Sequence, residues 1–477
     1  NRRNSFEAYV DDSWKVSRRL TLNLGLRASF FRPAYEPDDR YRIFVPEAYD
    51  SSKAVAVDPA TGRIPRGIGD RFNGLVNPKS YWRTSNKNFA PRFSFAYDLF
   101  GNGKTALRGG YGLFYSREIL GAFILMSGNP PFSELLTIEN TRLSNPFGGT
   151  QRDFDLPITL GNIDPNQLTP YSQQWNFNIQ HGLSGNTVLE IGYSGSRTIH
   201  MMRSRDLNQP LPDARIAQGL LNADSQRPYK GWSTISHREQ SYNANYHGLQ
   251  LGLNRNFSNG LMFQVAYTFS KTIDNADFSG GIYGIYPNAR NARTERGRAS
   301  LDVTHNFVAS YLYELPFLKN RNDLIGKVFG GWQISGVTSI RTGMPIGLTI
   351  GRDYAGVGYA TGQRPVALAN PALPKGERTI DRWFDTSVLT LPAFGTFSPL
   401  SRNILTGPGW NNFDMSFTKF FRLGESRRLE IRADGFNVFN HTQFNGVGTS
   451  YLTPQTFGKI TSVRNPRSLM IGSRLEF

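Results

Sequence analysis

Cysteine is absent from the 477 residues of this chain. That excludes a disulfide scaffold, a thiolate metal site and a cysteine nucleophile. No run of about 18 apolar residues occurs, so a helical membrane span is excluded as well. Charged residues are sparse at 19%, and the hydrolase, zinc-protease and phosphate-loop strings (G-x-S-x-G, H-E-x-x-H, G-x-x-x-x-G-K-[ST]) are missing. Acidic residues are the minority, 37 against 54 Lys and Arg, giving a net charge of +17. The cations are spread along the chain instead of forming one dense run, which argues against a nucleic-acid partner. Such an excess is either a solvated surface or an attraction to anions such as lipid phosphates or an acidic ligand.

What the chain does have is aromatic residues (13%), glycine (48 residues) and a recurring period of two. The final segment, Arg467 to Phe477, alternates strictly. Leu469, Ile471, Leu475 and the terminal Phe477 share one face, and Gly472, Arg474 and Glu476 share the other. A terminal aromatic on the apolar face suits a strand whose one side meets lipid and whose other side meets a watery lumen.

Similar segments come in pairs around tight turns: Ser5 to Val16 with Leu20 to Phe31, Phe89 to Leu99 with Lys104 to Ser116, and Ser172 to Gln180 with Thr187 to Thr198. A fourth pair turns at Asn259-Gly260, a strong hairpin signal, between the Leu249, Leu251, Leu253 row and the Phe263, Val265, Tyr267 row. Asp302 to Glu314 pairs with Gly331 to Arg341 through a longer connection, and Asn411 to Phe421 pairs with Arg428 to Asn440. Between pairs lie long segments, 32–88, 117–171, 199–245, 272–301, 342–410 and 441–466, rich in Gly, Pro, Asn and Ser. Alternating tight turns and long excursions is the outer-membrane pattern of short periplasmic turns and long external loops.

The expected fold is therefore all-β: a transmembrane antiparallel β-barrel in a bacterial outer membrane, here of about 13 strands with long outer loops. Residues 1–477 are expected to form a single barrel domain, and an incomplete one. An odd strand number would close through a parallel seam, and single-chain bacterial barrels close with an even number. The chain also starts without Met or a leader, close to its first strand, as a processed or truncated product would. Trp14, Phe100, Phe257 and Phe421 near the tight turns, with Phe30, Phe31, Tyr115 and Phe269 near the outer ends, fit two interfacial aromatic belts.

Little chemistry is encoded. Asp11-Asp12 and Asp38-Asp39 lie in or beside turns, where Asp is expected, and alternation points adjacent side chains apart. His200-Met201-Met202, with His237 and His247, lacks repeating metal-ligand spacing and is read as loop anchors. Gly109-Gly110-Tyr111-Gly112 sits inside a strand pattern, where glycine permits curvature or close packing. No enzyme, metal or cofactor is expected. The binding candidate is the basic loop with Arg290, Arg293, Arg296 and Arg298, which could hold lipopolysaccharide phosphates or an anionic solute, or could simply pair with Asp302 and Glu295. Arg27, Arg108, Arg341, Arg432 and Arg474 are expected to face the lumen, where a charge is cheap.

Several stretches resemble the barrel of TonB-dependent outer-membrane receptors, more narrowly the Oar-like group. These are Arg296-Gly297 with Ser300 to Phe317, Gly330 to Thr349, Pro170 to Thr198, Tyr267 to Asn275, and EIRADGFNVFNHTQF from Glu430 to Phe444. They occur in family order. The resemblance implies a 22-stranded barrel filled by an N-terminal plug and driven by the inner-membrane TonB complex. This chain would hold the C-terminal portion, and neither the plug nor an energy-coupling box is recognised within it. The role implied is uptake, or export, of a large unknown solute by loop capture and plug-gated passage. The alternative is a plug-less porin or adhesin whose loops bind surface partners.

Overall fold

The computed structural model describes residues 4–32, 37–65, 72–80, 83–84, 87–117, 123, 125–133, 138–151, 154–276, 285–318, 321, 323–424 and 426–477. Thirteen long strands follow one another in chain order across one sheet. They are β1 (Ser5–Lys15), β2 (Leu20–Phe31), β3 (Asn88–Asp98), β4 (Thr105–Tyr115), β5 (Tyr171–Ser184), β6 (Thr187–Asp206) and β7 (Trp232–Ser258). The rest are β8 (Leu261–Asp274), β9 (His305–Glu314), β10 (Trp332–Arg341), β11 (Trp410–Arg422), β12 (Arg428–Phe436) and β13 (Ser468–Glu476). Each is antiparallel to the next, so β1 and β13, the two edges, run in the same direction. The expected hairpins are all present.

Residues directly opposite in an antiparallel pair point to the same side, so the register carries one face across the whole sheet. One apolar row runs Val10–Leu26 and Leu24–Phe93–Tyr111–Trp175, then Ile191–Leu251–Tyr267–Phe307–Ile340. It ends with Phe417–Ala433–Ile471. No second protein layer covers this face among the described residues. Leu249, Phe269 and Ile471 are 41%, 48% and 86% exposed. Rings close the gaps left by glycine on the same face: Phe95 lies over Gly109, and the Trp175 indole lies over Gly195. Asp11 and Asp12 do point to opposite faces, Asp11 opposite Gly25 on the polar side and Asp12 opposite Leu24.

The tight turns are built as their residues dictate. Asn259 and Gly260 both have positive φ (52° and 76°), the conformation a two-residue hairpin needs. At the β3–β4 turn the Asp98 carboxylate accepts from the backbone N–H of Gly101 and Gly103, at 3.0 and 2.9 Å. The longer β9–β10 connection contains a short helix, α1 (Leu324–Phe329), capped by Asp323.

The long connections differ from the sequence expectation. Residues 199–245 are not one loop: β6 continues to Asp206 and β7 starts at Trp232, so 27 residues of β7 rise well past the membrane-crossing length. The connections also carry the buried apolar clusters. Tyr41, Ile43 and Val45 join Phe123, Met126 and Ile163, while alternation sends Phe44 into the neighbouring cluster with Leu160, Trp232 and Ile235. Leu348, Phe384, Leu389 and Leu405 form a third. The segment Ile158–Ile163 pairs in parallel with Trp232–Arg238 at the top of β7, fastening one connection to another. The core thus lies in a folded cap at the outer end of the sheet, and the strands below present one face to lipid.

Candidate functional site: the polar wall, the arginine loop and the cap

The register brings the five arginines Arg27, Arg108, Arg341, Arg432 and Arg474 onto one face, the polar one. Arg27 stands opposite Tyr9 and Ala90, and Arg108 opposite Ala96 and Asn178. Arg341 stands opposite Asn306 and Trp410, Arg432 opposite Thr418 and Gly472, and Arg474 opposite Glu430. Several are already partnered. Arg27 pairs with Glu7, Arg432 with Asp434 at 2.6 Å, and Arg474 lies 3.5 Å from Glu476. The Arg341 guanidinium lies 5.7 Å from the Trp410 ring centroid. Phe477 ends the chain on the apolar parity of β13, 84% exposed.

A concavity of about 600 Å³ opens where β1 to β5 present small and polar groups, including Asp11, Asn23, Arg27, Ser94 and Asn176. Arg92 also lines it, stacked 4.7 Å over Phe114. Sequence reading missed Arg92, although its parity, opposite Gly25 and Gly112, was the available signal.

The four arginines of the basic loop have different fates. The Arg290 guanidinium donates to the carbonyls of Gln209 and Pro210, binding its loop to the end of the β6–β7 connection. Removal from water holds its pKa below the ordinary arginine range. Arg298 is held by Asp302 at 3.0 Å and by the Thr406 hydroxyl at 2.9 Å. Glu295 pairs instead with Arg364. Arg293 and Arg296 stand exposed and line a concavity of about 420 Å³ with Asn243, Asn245, Ile273 and Asn275.

Buried ion pairs fix the cap. Arg227 and Asp206 meet at 2.7 Å with side chains only 3% and 2% exposed, and Arg402 pairs with Asp274. His237 is buried, and its Nδ1 lies 3.0 Å from the Asn162 amide nitrogen. Asn162 cannot rotate to oblige a proton there. Its oxygen accepts from the Phe44 N–H and its nitrogen donates to the Phe44 carbonyl, both at 2.9 Å. Burial first, then the nearby Arg205 cation, pushes the His237 pKa down to about 4, against smaller opposing effects of Asp164 and Glu239. His200 sits at φ 62° beside a strand irregularity, edge-on to Tyr171. Among the described residues no three His, Cys, Asp or Glu side chains converge in a way that could hold a metal.

Against known proteins, residues 1–470 match the model of the outer membrane beta barrel domain family, and the chain belongs to that family. It is a bacterial outer-membrane protein. No curated protein matches it in sequence. Solved structures similar in fold include the outer membrane transporter YddB of Escherichia coli, at 10% identity and TM-score 0.48, covering 99% of this chain and 53% of that one. The siderophore receptor PirA of Acinetobacter baumannii is similar at 11% identity and TM-score 0.46, covering 99% and 45%. So is the ferric enterobactin receptor PfeA of Pseudomonas aeruginosa, with 11%, 0.46, 99% and 44%. The chain spans about half the length of these proteins.

Proposed function

We propose that the chain is the barrel portion of a TonB-dependent receptor that carries a large solute across the outer membrane, without covalent chemistry. The observation that carries this reading is the polar face, continuous over thirteen strands and studded with arginines, beneath a cap with its own cores. A simple diffusion pore needs the polar face but not so elaborate a cap. In this reading the cap captures solute, the arginines of the wall hold a plug or steer the solute, and TonB supplies the work. The two edges, β1 and β13, run in the same direction; in this reading further strands stand between them and close the antiparallel barrel. The same protein would exclude small ions until coupled.

Planar-bilayer conductance of the intact parent protein tests the reading, with the purified periplasmic domain of TonB as a binding probe. A silent barrel that binds the TonB domain supports it. A steadily conducting barrel indifferent to TonB would establish the porin reading instead.

A further inference from the structure

We infer that the apolar face carries a site for the phosphates of a phosphorylated glycolipid of the outer leaflet, built from Arg197, Lys271, Arg293 and Arg296 at and beside the concavity over β7 and β8. Proteins of this size carry many exposed cations, so placement decides the matter. On β6, Arg197 shares the parity of Ile191 and Tyr193. It stands opposite Asn245, which itself stands opposite Ile273. Lys271 stands opposite His247 on the same face, two residues below Ile273. Asn245, Ile273, Arg293 and Arg296 line one cavity, and Arg197 and Lys271 flank it on the same face, Arg197 across from Asn245 and Lys271 one same-face position below Ile273. All four are exposed, and none has an ion pair among the described residues.

Three neighbouring carboxylates among the described residues are committed elsewhere: Asp274 to Arg402, Glu295 to Arg364 and Asp302 to Arg298. Among the described residues this cluster of like charges has no counter-charge of its own, which favours an anion at that point. The amides of Asn243, Asn245 and Asn275 add uncharged polar groups to the cavity wall.

What lies beneath identifies the anion as a lipid. Directly below, on the same face, run Tyr193, Leu249 and Phe269, followed by Ile191, Leu251 and Tyr267. The boundary is marked by two repeated pairs. The Tyr193 hydroxyl meets His247 Nδ1 at 2.7 Å, and the Tyr267 hydroxyl meets His305 Nδ1 at 2.8 Å. Each hydroxyl is thereby satisfied where the ring enters an apolar zone, as interfacial tyrosines require. A ligand with phosphates above and acyl chains below matches this order, whereas a free anion would use only the top. Of the four arginines that sequence reading grouped together, Arg293 and Arg296 serve this site, and Arg290 and Arg298 hold the loop that presents them.

The test is native mass spectrometry of the protein extracted from outer membranes, delipidated and offered diphosphoryl, monophosphoryl or fully dephosphorylated lipid A. The triple variant Lys271→Gln, Arg293→Gln, Arg296→Gln should bind the diphosphoryl form about a hundredfold more weakly, since each cation near a charged headgroup contributes roughly a fivefold factor. Arg18→Gln, at a tight turn on the opposite side of the membrane, should change nothing. Retained heat-modifiable mobility on gels reports that the variants fold, and the single variant Lys271→Gln should show a partial loss. Undiminished binding by the triple variant would overturn the inference. So would equal binding of dephosphorylated lipid A. Displacement of the lipid by millimolar inorganic phosphate would show a free-anion site and overturn the lipid assignment.

Discussion

Protonating His237 should open the seam that fastens Ile158–Ile163 to the top of β7. The imidazole accepts from an Asn162 amide that Phe44 pins in place, so a proton on Nδ1 would set donor against donor. Arg205, paired with Glu239 at 2.8 Å, keeps a further cation nearby. In the opened seam the ring titrates near its ordinary 6.5; in the closed cap it titrates at about 4. The opened form therefore takes up the proton first. Seam stability is full above pH 6.5 and declines as pH falls toward 4. The total loss is roughly 3 kcal/mol, about two orders of magnitude in the opening constant. Hydrogen exchange of the amides of residues 158–163 and 232–238, corrected for intrinsic pH dependence, measures that constant. His237→Gln, which cannot titrate, should flatten the profile. A flat profile in the parent protein, or an unchanged slope in the variant, would refute the reasoning.

Three further outcomes follow from the same geometry. Leu251→Arg should destabilise the barrel by roughly 2–4 kcal/mol in lipid refolding titrations, while Gln250→Arg, on the other face, should fold within about 1 kcal/mol of the parent. Gly195→Val should cost about 1–3 kcal/mol in the same titration, because the Trp175 indole occupies the space its side chain would need. Trp232→Ala should cost the cap about 3–5 kcal/mol, seen as faster protease cleavage within residues 32–88 and 117–171 while the barrel keeps its heat-modifiable mobility.

The strands were legible because lipid and water impose opposite demands on successive side chains. Leu249-Gln250-Leu251-Gly252-Leu253 could be assigned from that alone. Above the membrane this contrast ends, and both faces of β6 and β7 meet other protein. Trp232 to Asn245 therefore reads as polar loop although it is strand. The cap cores were hidden for a related reason. Phe44 meets Leu160 and Trp232 across more than a hundred residues, and parallel pairing of Ile158–Ile163 with Trp232–Arg238 leaves no local signature. The arginine loop shows the limit most plainly. Arg290, Arg293, Arg296 and Arg298 look alike in sequence, and carbonyls some 80 residues away at Gln209 and Pro210 decide what Arg290 does.

The absence of native cysteine makes a single-cysteine scan clean. Spin labels placed one at a time at residues 249–254 of the protein in lipid bilayers should report oxygen, dissolved in hydrocarbon, at 249, 251 and 253. A water-soluble nickel chelate should reach 250, 252 and 254. A profile without a period of two, or one in which both reagents are excluded from the 249, 251 and 253 row, would contradict a wall with lipid on one side and water on the other.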